Sequence, residues 1–154
     1  MLLDVDGVIN DLGALGGHRR PWKTVVVQAG RFHVHVPEFM PPLIQGLAEV
    51  TEIHWCTTWR ESANTLIAPL LGVSPFPVIT DGSESMYPDW KASAAHDVVT
   101  AALAQNRRVV WIEDFYGEYP VDVLPDGVEY IDTATTPGGA VLVPEMVPAD
   151  LVRG

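Results

Sequence analysis

Met1-Leu2-Leu3-Asp4-Val5-Asp6-Gly7-Val8-Ile9-Asn10 is the stretch on which the reading of the whole chain turns. Leu2, Leu3 and Val5 carry the chain into two carboxylates spaced i, i+2, and Val8 and Ile9 resume the apolar run after a glycine. Such a run suits a strand buried on both faces, as in a parallel sheet. A carboxylate inside that strand would be costly to bury unpaired, so Asp4 and Asp6 belong at its C-terminal end, where the sheet opens to solvent. Gly7 lets the backbone turn sharply there. Two carboxylates held so close repel one another, so a cation is expected with them, and an all-oxygen donor set points to Mg²⁺.

Outward from this stretch, the chain alternates strand and helix signals. Trp22-Lys23-Thr24-Val25-Val26-Val27 and Arg31-Phe32-His33-Val34-His35-Val36 flank a glycine-containing turn and predict a β-hairpin over about 22–36. Its second arm alternates Phe32, Val34 and Val36 with His33 and His35, the pattern of a half-buried strand with one wet face. Helical spacing of Leu43, Ile44, Leu47 and Ala48 predicts a helix over 41–49. A second core strand is expected over 51–56, a helix over 62–71 closed by Gly72, and a short strand at Val78-Ile79. A further helix opens at Trp90-Lys91 and runs to about Gln105; a strand over 107–112 ends at Glu113-Asp114. A last strand over 128–131 precedes an irregular tail with a short helix from Pro148. Strands alternating with helices imply an α/β fold with a mostly parallel central sheet, whose ligands sit beyond the carboxyl ends of the strands. Asp4, Asp6, Thr57, Thr58, Glu113 and Asp114 all fall at such ends.

Composition narrows the function. A chain of 154 residues, 47% of them hydrophobic, fits one domain (1–154) with a substantial core. Its net charge of -11 argues against a general nucleic-acid-binding surface but leaves open a nucleotide or a nucleic-acid end bound through a metal. Lys23 and Lys91 are the only lysines, and the lone Cys56 gives no disulfide framework. No apolar run is long enough to span a bilayer, and the N-terminal run lacks the basic flank of a signal peptide. The expectation is a cytoplasmic protein with no membrane partner.

Asp4-Val5-Asp6-Gly7-Val8 resembles the first motif of the haloacid-dehalogenase-like (HAD) superfamily, most of whose members are phosphatases. Three further motifs can be matched in order. The resemblance makes Asp4 the nucleophile that forms an aspartyl-phosphate, and Asp6 the general acid/base. It makes Thr57 a hydroxyl and amide holding a phosphoryl oxygen, with Thr58 as the neighbour that could take its place. Lys91 becomes the ammonium that balances charge between nucleophile and phosphate. Glu113-Asp114 matches the acidic fourth motif, where the family often has two aspartates; Glu113 departs from that, and either residue could be the direct ligand. The implied metal set is Asp4, Asp6 (through its carbonyl in the family), Glu113 and Asp114, holding Mg²⁺. Trp55-Cys56-Thr57-Thr58-Trp59-Arg60 together with Trp111-Ile112-Glu113-Asp114 is similar to a small subgroup found in bacteria and their phages.

What this resemblance implies is a Rossmann-like three-layer sandwich with the hairpin as a flap and no separate cap domain. The gaps between the motifs are too short for a globular cap. Its activity would be Mg²⁺-dependent hydrolysis of a phosphomonoester, the substrate a phosphorylated small molecule or a nucleic-acid end. The alternative is a catalytically weak phosphate- or nucleotide-binding or interaction module on the same fold. Arg60 is either a substrate-phosphate contact or an ion-pair partner. His33 and His35 have metal-like spacing but no evident third ligand. His18-Arg19-Arg20 reads as a solvated basic loop that could meet an anion. Trp59 and Trp90 adjoin motif residues and could line the mouth of the site.

Overall fold

In the computed structural model, which describes residues 1–152, the opening run forms only a brief strand, β1 (Leu2–Leu3). Asp11 then caps a short helix, α1 (Leu12–Leu15), by accepting the Ala14 N–H. The predicted hairpin follows as β2 (Thr24–Ala29) and β3 (Phe32–Pro37). Val34 and Val36 face the core as expected, whereas Phe32, at the turn, is exposed. Prolines at the start of α2 (Met40–Val50) occupy the first turn, where a missing N–H does no harm, and Met40, Ile44 and Leu47 form its buried stripe.

Strand β4 (His54–Trp55) is shorter than expected. Thr51 ends α2 rather than starting a strand, its hydroxyl donating to the Leu47 carbonyl at 2.8 Å. The helix expected over 62–71 is wider-wound at first, a π-helical segment Ala63–Ile67, and only then α3 (Ala68–Leu71). Pro69 accounts for the difference: it lacks an N–H and its ring crowds the carbonyl four residues back. Gly72 closes the helix at φ +68°, as its position suggested. Val78 makes a single bridge to Trp55 in place of a strand. A turn of 3₁₀ helix, Pro88–Trp90, leads into α4 (Lys91–Ala104); β5 (Val109–Glu113) and β6 (Val128–Asp132) complete the strands. After Pro148 there is a turn and no helix.

The molecule is thus mixed α/β. Its main sheet has four parallel strands in the order β4-β1-β5-β6, and the hairpin forms a separate antiparallel pair. Side chains along the strands alternate between two apolar clusters. Leu3, Val110 and Ile112 pack with Ile44 and Leu47 of α2, whereas Leu2, Val109 and Trp111 pack with Ala95 and Val99 of α4. Pairing of Leu3 with both Trp55 and Ile112 brings the ends of three strands level, which places Asp4, Cys56-Thr57 and Glu113 side by side.

The tail is part of this core. Ala140, Val141 and Leu142 are buried, the Leu142 N–H donates to the Val8 carbonyl at 3.0 Å, and the Thr133 hydroxyl donates to the Gly7 carbonyl at 2.6 Å. Arg20 is not solvated as its basic neighbourhood suggested. It forms a buried ion pair with Asp11 and donates to the carbonyls of Pro137 and Gly139, tying α1 to the tail. Among the described residues, no helix is long and apolar enough to cross a membrane.

Candidate functional site

Asp4 leaves the sheet where the chain turns. The Val5 carbonyl accepts the N–H groups of Val8, Ile9 and Asn10, at 3.2, 2.8 and 2.9 Å, which folds residues 5–10 into a tight loop. Gly7 sits at φ +74°, and a Cβ there would lie 2.7 Å from the Asp114 carboxyl carbon. Backbone conformation and close approach both demand glycine at this point.

Within the loop the two aspartates part company. Asp4 is buried; its Oδ1 accepts the Val5 N–H at 2.7 Å, and its Oδ2 lies 2.9 Å from Lys91 Nζ. Asp6 turns away: Asn10 Nδ2 donates to its Oδ1 and Trp59 Nε1 to its Oδ2, both at 2.8 Å. The positive group facing Asp4 is therefore Lys91, and Asp6 brings no carboxylate oxygen to the acidic cluster. That cluster is Asp4, Glu113 and Asp114, each offering an oxygen within 4.8 Å of the others.

Lys91 begins α4 as a buried residue, bridging Asp4 and Glu113 Oε1, the latter at 2.7 Å. Glu113 Oε2 accepts from Trp111 Nε1 at 2.9 Å, so both Glu113 oxygens are engaged. Asp114 accepts no side-chain hydrogen bond from the described residues and is the carboxylate freer to bind a ligand. Three carboxylates share one ammonium here, and the proton affinities register the surplus. Burial acts against the charged form of Lys91, but Asp4 and Glu113 outweigh it and hold its pKa above the ordinary value. Burial first, then the Asp4 charge, pushes Glu113 up, and the same two causes push Asp114 up to about 7. A divalent cation would relieve both carboxylates, and this all-oxygen, mostly buried donor set could hold a hard one.

The second-strand residues reach the site less directly. Thr57 is buried one residue beyond Cys56, the residue level with Asp4, and its hydroxyl accepts the Trp59 N–H at 3.3 Å, a turn-capping contact that leaves its proton free to donate. Thr58 is half-buried and its carbonyl accepts from Arg60 at 3.4 Å. Arg60, at φ +49°, lies over Trp90 and donates to the Ser85 carbonyl at 2.9 Å, with Asp81 3.9 Å away. It fastens the 81–85 loop, the contacts expected of an ion-pair partner. His33 and His35 belong to no three-residue ligand group among the described residues.

Several contributors escape a reading of the sequence. Asn10 joins Asp6 to the hairpin, its Oδ1 accepting the His35 N–H at 2.9 Å, and Phe32 at the hairpin tip packs on Trp59 with centroids 5.3 Å apart. The i, i+4 spacing of Asp6 and Asn10 was the only available signal. Beside Lys91, Glu113 and Asp114 opens a cleft of about 770 Å³, also lined by Tyr87, Phe115 and Tyr116.

Searches of protein-family models, of curated proteins and of solved structures each found no match to this chain.

Proposed function

We propose that the chain is a Mg²⁺-dependent phosphomonoester hydrolase of the HAD type, built as a Rossmann-like three-layer sandwich without a cap domain, and acting through an aspartyl-phosphate on Asp4. The observation that carries this reading is the buried bridge from Lys91 to Asp4 and Glu113 with Asp114 in ligand reach, all at the carboxyl ends of parallel strands. Apolar clusters on both faces of the sheet, and connections holding only the hairpin, single helices and short turns, agree with it.

In this mechanism an Asp4 oxygen attacks phosphorus, and the bond from phosphorus to the ester oxygen breaks. Asp6, aimed by Asn10 and Trp59, gives its proton to the leaving oxygen. It then takes a proton from water, which attacks the phosphorus of the acyl-phosphate, frees inorganic phosphate and restores Asp4. Lys91 offsets charge between Asp4 and the phosphoryl oxygens, and Thr57 donates to one of those oxygens. Held by Asp4 and Asp114, Mg²⁺ would supply the positive charge that lets a phosphate approach so acidic a site. Glu113, engaged by Lys91 and Trp111, orients the lysine and is not the direct ligand.

A phosphate-binding module on the same fold is the second reading. The burial of Asp4, with both oxygens already engaged, favours it. Phosphate release from an aryl phosphate and a panel of nucleotides, with Mg²⁺ and with chelator, separates the two. Release that needs Mg²⁺ and disappears in Asp4→Asn is the expected result. Release unchanged in Asp4→Asn removes the nucleophile, and no release with retained Mg²⁺ binding supports the module.

A further inference from the structure

The cleft beside the acidic cluster has a second chemistry that phosphoryl transfer does not use. Two chain segments meet there, one before α4 with Tyr87 and one after β5 with Tyr116, and these residues are 75% and 69% exposed. Other aromatic residues of this region pack on a neighbouring ring. Trp111 and Phe115 lie 5.6 Å apart by centroid, and Phe115 also packs on Tyr119 and Tyr130. Tyr87 and Tyr116 have no such partner among the described residues.

Tyr116 is moreover held, not merely left out. Its φ of +51° lies in the left-handed region that non-glycine residues rarely occupy. The buried Asp132, at the end of β6, fixes that turn by accepting the N–H groups of Tyr116 at 3.2 Å and Gly117 at 2.8 Å. A strained aromatic residue over-determined by its surroundings beside a candidate active site is a pattern of ligand clamps. The charges along the cleft add a constraint. Besides Glu113 and Asp114 it is lined by Asp89 and Glu118, and its one cation among the described residues, Lys91, is already shared by Asp4 and Glu113.

We propose that this cleft binds the organic part of the substrate as a flat nucleobase stacked on Tyr87 and Tyr116. The substrate class is then a nucleoside monophosphate, and not a polyphosphate or a nucleic-acid strand, whose further phosphates would lie along a wall carrying Asp89 and Glu118. The choice of a phosphate ester rests on the hydrolase reading; the ring site itself does not.

The test uses the full chain in chelator, where turnover is off. Adenosine, adenosine monophosphate, adenosine triphosphate and ribose 5-phosphate are titrated by calorimetry and by amide shift changes. Adenosine and its monophosphate are expected to bind with shifts centred on residues 87–92 and 113–118. Tyr116→Ala and Tyr87→Ala should each weaken that binding about tenfold, and Tyr116→Phe should keep it. Adenosine binding no better than the sugar phosphate, alanine variants that bind unchanged, or a triphosphate that binds more tightly than the monophosphate would each overturn the proposal. If adenosine binds through the tyrosines but no ester is hydrolysed with Mg²⁺, the ring site stands and the hydrolase reading falls. If the monophosphate and ribose 5-phosphate are hydrolysed alike, and equally by the alanine variants, the hydrolase reading stands and the ring site falls.

Discussion

Lys91 holds together charges that would otherwise force the strand ends apart. Replacing it by Met would leave Asp4 and Glu113 facing one another in a buried site, and removing one partner of a buried pair costs about 3–5 kcal/mol. Urea unfolding of the metal-free Lys91→Met protein should show a loss of that order, partly recovered by Mg²⁺. Asp114 gives the sign of the pH response. In the native state it keeps its proton up to about 7, whereas an unfolded aspartate releases it near about 4. Between those values the native state binds more protons than the unfolded one, so stability without metal falls as pH rises through that window. Melting temperatures measured in chelator from pH 4 to pH 8 should decline on this account, with a shallower slope in Asp114→Asn. Added Mg²⁺ should raise the melting temperature more at pH 8 than at pH 5. The carboxylates at the strand ends stood out in the sequence because Asp4 and Glu113 close apolar runs, whereas Lys91 opens a helix; the hydrogen-bond partners of each were not readable. The resemblance told Asp4 from Asp6 by role, but not that the loop's path would deliver Asn10 and Trp59 to Asp6 alone.

At the scale of elements, the loop between β1 and α1 depends on one glycine. Gly7→Ala adds a methyl to a left-handed residue, at about 1–2 kcal/mol, and thrusts it against the Asp114 carboxylate. The expected result is a folded protein, less stable by more than that backbone figure, with Mg²⁺ half-saturation shifted well upward. Calorimetry with Mg²⁺ and thermal melts check it; unchanged metal binding would mean that Asp114 is not a ligand. Helix and strand identities followed from period and punctuation, as in the stripe of α2 and the cap at Gly72. Boundaries slipped where a local group had a better partner. Thr51 bonded back to α2 instead of joining β4, and Pro69 widened the preceding turn.

For the molecule as a whole, the unforeseen feature is the tail. Nothing in Pro137 to Met146 has a clear period, so its role was not readable from sequence, yet Val141 and Leu142 are as buried as any strand residue. Arg20 illustrates the same point from the other side. Its charge suggested solvent, but its partners lie across the fold, at Asp11 and the 137–139 carbonyls. Truncation after Thr136 should therefore do more than shorten a loop. It removes buried apolar side chains and strips a buried arginine of its carbonyl partners, and losses of that kind cost several kcal/mol together. Circular dichroism and proteolysis of the shortened chain are expected to show an unfolded or protease-labile protein; a native-like melt would show the tail to be dispensable.

The hydrogen bond from Thr133 to the Gly7 carbonyl spans 126 residues of chain. On a ribosome, the local bonds to the Val5 carbonyl can form early, but this distant anchor must wait until β5 and β6 have been made. A growing chain therefore holds Asp4 apart from Glu113 and Asp114 until β5 has been made. A product stopped short of residue 133 would lack that anchor on the loop that carries Asp4 and Asp6.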